Sequence, residues 1–229
     1  MRQDRQIARD ISYSYSAQTK GGRAMIRTME NLTGRIALIK RAAGYETEVL
    51  QGRDFWEVLV ERYGLTLDVV GGSLSNIPKE GPLVLIANHP YGILDGLMMG
   101  HILSQTRGDF RILAHQIFRK AEDLNKVILP ISFDETKEAV ALKPFSRPMD
   151  PGWRGFTAKM IAKSQAAVVP VYFDGHTSRL FQLASHLHVT LRMGLLIKEF
   201  RKRVDTPVRV VVGDPIPRST LAQYAGDTK

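Results

Sequence analysis

The chain has no cysteine among its 229 residues. Disulfide staples, thiolate catalysis and cysteine-built zinc sites are therefore excluded, and a cytosolic setting is compatible with that. No stretch reaches the roughly 18 to 20 uncharged apolar residues that a membrane-spanning helix needs. The opening ten residues are too charged for a secretory signal, so any membrane contact is expected to be peripheral. Acid is in short supply, with 23 Asp and Glu against 32 Lys and Arg and a net charge of +9. Up to Arg53, ten basic residues stand against five acidic ones. Such an excess suits nucleic acid, anionic lipid head groups or simply a solvated basic face. No helix-turn-helix, RNP-like, zinc-finger or stacking-aromatic pattern accompanies it. The expected partner is an anionic membrane surface, with no nucleic acid. His186 and His188 point to different sides of a helix with no acidic cluster beside them, so no metal site is expected there. Internal repeats and low-complexity segments are absent.

What is present is ordinary for a folded protein: 44% hydrophobic and 24% charged residues, enough for one sizeable core with a helical extension. Residues 1–22 carry few large apolar side chains and read as a loose basic arm. Over residues 24–43, Met25, Met29, Leu32, Ile36 and Ile39 recur at helical steps, with Gly34 weakening the centre. A second helix is expected over 53–62, with Phe55, Trp56, Leu59 and Val60 on one face and Gly64 ending it. This helical element, 23–64, either sits against lipid or packs on the core.

From Leu65 the texture alternates. Strands are expected at 66–70, 83–87, 110–115, 127–131, 167–173 and 208–212, with a turn through Gly71-Gly72. Helices are expected after Asp95, at 117–124, at 153–165, and over 178–203 with a break near Gly194. The pattern predicts an α/β fold over 65–217, a mostly parallel sheet with helices on both faces, followed by a tail over 218–229.

One stretch concentrates the chemistry: Leu83-Val-Leu-Ile-Ala-Asn-His-Pro-Tyr-Gly-Ile-Leu-Asp-Gly96. Leu83–Ala87 reads as a strand buried on both faces. It breaks into Asn88-His89-Pro90, Gly92 frees the loop backbone, and Asp95 stands where a helix should begin. A titratable imidazole and a carboxylate thus arrive at the carboxyl end of a buried strand, where open α/β sheets bind ligands.

The His89 to Asp95 block resembles the catalytic block of the glycerolipid (lysophospholipid) acyltransferases. Five residues lie between the pair here, where the family signature has four, and Gly92 accommodates the extra one. With Asn-His-Pro and Asp-Gly around it, the block is similar to a bacterial subgroup often labelled hemolysin-like. The resemblance runs from about Gly34 to Pro217 and returns at Val169-Pro170-Val171 and the polar turn Asp174 to Ser178. It implies transfer of a fatty acyl group from acyl-CoA or acyl carrier protein to a lysolipid hydroxyl, with no cofactor. His89 is then the general base, and Asp95 sets its tautomer and stabilises the imidazolium.

Asn88 and Tyr91 either bind substrate or hold the loop. Pro170 lies on a strand that lines the cleft in the resembling proteins. His176 either reaches the substrate or, as a histidine in a surface turn, faces solvent. Arg179 and Arg192 are candidate phosphate partners. The resemblance fails over 134–152, where a Phe-Pro-Glu-Gly-type block with its strand and turn has no counterpart; Arg147 is the cation left there. The expected location is the cytoplasm, peripheral on the inner face of the cell membrane, and the alternative function is a catalytically impaired relative that acts only as a peripheral lipid-surface binder.

Overall fold

A computed structural model describes residues 11–115, 126–131, 161, 164 and 166–223. The N-terminal part is helical: α1 (Lys20–Thr33), α2 (Arg35–Ala42), α3 (Tyr45–Leu50) and α4 (Phe55–Arg62). Then follow β1 (Thr66–Gly72), β2 (Leu83–Ala87), α5 (Ile93–Thr106), β3 (Ile112–His115) and β4 (Ile128–Ile131). The chain continues with β5 (Ala167–Phe173), α6 (Arg179–Leu187), α7 (Val189–Arg201), β6 (Pro207–Val212) and α8 (Arg218–Gln223). The helices expected at 117–124 and 153–165, apart from Ile161 and Ser164, lie outside the described residues. So does the whole of 134–152, with Arg147.

Several local expectations are corrected. The stretch 11–22 is not loose: Ser12 and Ser14 are buried, and α1 already begins at Lys20. A buried carboxylate explains this, since Glu30 is fully buried and needs donors. Ser12 Oγ donates to Glu30 Oε2 at 2.7 Å, and the Tyr13 amide donates to Oε1. The single helix expected over 24–43 is broken at Gly34, which adopts φ +127° while Arg201 fills the space a side chain would need.

Gly71 and Gly72 do not turn the chain but extend β1 against Val211 and Val212, with a register slip after Val69. In the C-terminal helical stretch the break falls at His188, not Gly194. His188 is extended (φ −164°, ψ 139°), and its Nδ1 accepts the Thr190 amide at 3.0 Å. Gly194 stays helical and lets Met29 of α1 approach α7. Part of the expected tail, Arg218–Gln223, is the short helix α8.

The apolar face of α4 packs inward. Asp54 caps the helix by accepting the Glu57 amide, and Trp56, Val58 and Val60 are buried. The Trp56 ring fits over Gly100 of α5, where any side chain would collide with it. Each large apolar group so buried stabilises the fold by about 1.5 to 3 kcal/mol. Between the two roles expected for this helix, the core takes Trp56 and leaves no lipid-facing aromatic pair.

Four strands form a mostly parallel sheet in the order β1-β6-β5-β2, flanked by helices; β3 and β4 pair in a separate parallel sheet. The pairs β2–β5 and β1–β6 are parallel, and β5–β6 is antiparallel. Among the described residues β2 therefore pairs on one side only. Each of its residues is half-buried rather than buried on both faces. The topology fixes one consequence for function. The strands β2 and β5 end together, whereas β6 and β1 begin at that same end. The loops after β2 and β5 and the loop before β6 meet there, above a core that includes Leu94, Met98, Phe173, Ile197 and Val210.

Candidate active site

Asn88 anchors the start of the loop after β2. Its Oδ1 accepts the Phe173 amide at 2.7 Å, and its Nδ2 donates to the Phe173 carbonyl at 2.9 Å. The side chain thus extends the β2–β5 pairing one step past the strand and fixes where His89 emerges. Gly92 then turns the backbone into α5 at φ +71° and ψ −123°, a conformation that is essentially glycine's alone.

Asp95 lies in the first turn of α5 and is buried, its side chain only 3% exposed, whereas that of His89 is 70% exposed. Asp95 Oδ2 lies 3.1 Å from His89 Nδ1 and accepts the Tyr91 amide at 2.7 Å. Both donors converge on one oxygen. Burial holds the Asp95 carboxyl above its ordinary range, opposed only in part by the His89 bond and charge and by the Tyr91 and Gly92 amides. When Asp95 is ionised it only accepts, which assigns the ring proton to Nδ1 and leaves the Nε2 lone pair free. This is the arrangement of a general base with an orienting carboxylate behind it.

The remaining candidates fall into distinct places. Tyr91 is buried, and its hydroxyl reaches the Asp174 carbonyl at 3.4 Å. Gly175 leaves room for that hydroxyl, since a side chain there would occupy its position. Burial raises the Tyr91 phenol above its usual value. Pro170 is exposed on β5 and pairs in register with Ile86, ahead of Phe173. Arg179 is exposed at the first position of α6, and the turn before it is tied down by Ser178, which donates through Oγ and N to Glu199. His176 is exposed, with its Nδ1 3.0 Å from the neighbouring Thr177 carbonyl. Among the described residues no cluster of His, Asp and Glu suits a metal ion.

Two contributors escape sequence inspection. The Arg203 guanidinium lies 4.4 Å over the Tyr91 ring, placing a cation beside the His89 loop from 112 residues away in the chain. The Tyr13 hydroxyl accepts the Ile93 amide at 3.1 Å, satisfying an open N–H of the first turn of α5. Burial raises that phenol strongly. No local pattern marks either residue.

The chain is similar to two curated proteins, each named lyso-glycine lipid O-acyltransferase. That of Phocaeicola vulgatus is 23% identical over 204 residues, covering 74% of this chain and 71% of the relative. That of Bacteroides thetaiotaomicron is 25% identical over 204 residues, covering 74% and 73%. No family model matches the chain, and no solved structure matches it. These similarities support an acyltransferase family acting in lipid metabolism.

Proposed function

We propose that the protein is a lysolipid O-acyltransferase, drawing a fatty acyl group from a thioester donor, acyl-CoA or acyl carrier protein. The single observation that carries this is the His89–Asp95 pair, solvent-facing on one side and carboxylate-backed on the other. His89 Nε2 removes the proton of the acceptor hydroxyl as its oxygen attacks the thioester carbonyl. The tetrahedral intermediate collapses, the carbon–sulfur bond breaks, and the imidazolium returns its proton to the leaving thiolate. Asp95 holds the tautomer and favours the imidazolium while it exists. The acceptor hydroxyl is the nucleophile, so no acyl-enzyme and no cofactor are required.

Both relatives are named for an amino-acid lipid acceptor. For this chain we assign an acceptor with an anionic head group, and Arg203, beside the His89 loop, supplies the opposite charge. Substrate contacts by Asn88, Tyr91, Gly92, Pro170, Arg179 and Arg147 are not required by this proposal; Asn88 and Gly92 serve it by shaping the loop.

Purified protein incubated with labelled acyl donor and a panel of lysolipids tests the proposal. Transfer to a hydroxyl is expected, and His89→Ala should lower it on the order of 10² to 10⁴-fold with the fold retained. Near-normal transfer by the His89 variant overturns the assignment. Absence of transfer by the unmodified chain favours the alternative, a lipid-surface protein without catalysis.

A further inference from the structure

We propose that the helical layer of α1, α2, α6 and α7 is a bilayer-docking face, taking the head groups and upper acyl region of anionic lipid. It rests on the acyltransferase reading only in that a lysolipid acceptor resides in a membrane. The layer is continuous: α7 packs against α1 and α6 and touches α2. A small second core of Phe181, Ala184 and Leu195, with Met29 packed beside it, joins α1, α6 and α7.

Apolar surface continues outward beyond that core. On α6, Leu180, Leu183 and Leu187 recur at steps of three and four, and the latter two are 54% and 68% exposed. They form a stripe beside the buried Phe181 and Ala184, so the helix is apolar over a wider arc than its packing uses. On α1, Met25 and Leu32 flank Met29 on the same side, and Leu32 is 80% exposed. Single exposed leucines mean little, but a stripe on one helix next to another on its neighbour does.

Charge selects the occupant. These four helices contain two acidic residues, Glu30 and Glu199, and both are buried. Glu30 is held by Ser12 and the Tyr13 amide, and Glu199 by Ser178. The layer therefore presents no exposed carboxylate, while Lys20, Arg23, Lys40, Arg179, Arg192 and Arg201 are exposed. Arg41 of α2 is paired with Asp205 of the loop after α7, and the other exposed cations stand beside exposed apolar side chains, a combination that matches an anionic lipid surface.

The opposite case lies within the same chain. Glu48, Glu57 and Glu61 of α3 and α4 gather around Arg53, and Leu50, 83% exposed, ends α3, a helix with two acidic residues and no basic one. No helix of the described residues is long and apolar enough to cross a membrane.

The test is flotation of the purified chain with vesicles of phosphatidylcholine, alone or mixed with phosphatidylglycerol, with no acyl donor present. Binding to the mixed vesicles is expected, weakening as salt rises. The double variant Leu183→Asp/Leu187→Asp should weaken it about tenfold or more, and Arg23→Glu/Arg192→Glu by about tenfold. Leu50→Asp, at a leucine elsewhere that is more exposed than either, should leave binding unchanged. All substituted side chains are exposed, and unchanged circular dichroism melts confirm that the variants fold. Equal binding to neutral vesicles, no binding to either, or equal loss in the Leu50 variant overturns the proposal. So does sedimentation showing a dimer that the leucine variant dissociates, which would make the face a contact between copies. Flotation needs no turnover, so its outcome is independent of whether acyl transfer is found.

Discussion

Replacing Asp95 by Asn separates two roles that an orienting carboxylate can play. The Tyr91 amide and His89 Nδ1 both approach Oδ2, at 2.7 and 3.1 Å, while Oδ1 is buried without a hydrogen-bond partner among the described residues. The Tyr91 amide needs an acceptor, so the oxygen of Asn should take the Oδ2 position and keep both bonds. The tautomer then survives, and what disappears is the negative charge beside the imidazolium. At 3.1 Å that attraction is about 1.3 kcal/mol in water and about 5 kcal/mol at an effective dielectric of 20. With His89 70% exposed, the relevant value lies toward water. Transfer should therefore fall about 10- to 100-fold, less than in His89→Ala.

The same substitution has a stability signature. The Asp95 carboxyl is raised in the folded state, chiefly by burial, so the folded chain holds that proton more tightly than the unfolded chain does. Stability from this group is greatest at low pH and declines as pH rises from the ordinary Asp range through the raised value. Asn lacks this dependence. Its buried NH2, without an acceptor at the Oδ1 position, costs about 1 to 3 kcal/mol instead. Single-turnover rates with labelled donor, together with melting temperatures across acidic pH for both proteins, check this. A loss as deep as that of His89→Ala would mean that the tautomer was lost after all. An undiminished rate would remove Asp95 from the mechanism.

Gly92→Ala should destabilise the fold by about 1 to 3 kcal/mol. Its backbone sits at φ +71°, and a Cβ there would come 2.9 Å from the Tyr13 hydroxyl; an unchanged melting temperature would refute that. Arg203→Ala should raise the KM for an anionic acceptor about tenfold and leave kcat nearly unchanged, with Arg203→Lys recovering part of the loss. An equal effect on an acceptor with an uncharged head group would show that Arg203 merely supports Tyr91.

The His89 loop was legible because its information is local. An apolar run ending in Asn-His-Pro, a glycine and an acid six residues beyond the histidine together define a strand, a turn and a helix start. The strands Leu83–Ala87 and Ala167–Phe173 match their expected bounds for the same reason. Helix periodicity was legible too, but periodicity only says that a helix has an apolar side. It does not say whether protein or lipid covers that side. The sequence left open whether the face of Phe55 and Trp56 meets lipid or core, and the fold buries Trp56 over Gly100. A stripe of exposed leucines lies instead on α6.

Tertiary structure alone decided the rest. Arg203 meets Tyr91, and Tyr13 meets Ile93, across 112 and 80 residues of chain. Such contacts depend on how the elements pack, which no local pattern encodes. The insertion of β6 between β1 and β5, parallel to the first and antiparallel to the second, is of the same kind. It brings the loop before β6, and Arg203 with it, to the end of the sheet where β2 delivers His89. Residue types and spacing determined the base and its carboxylate; sheet topology determined which charge stands beside them.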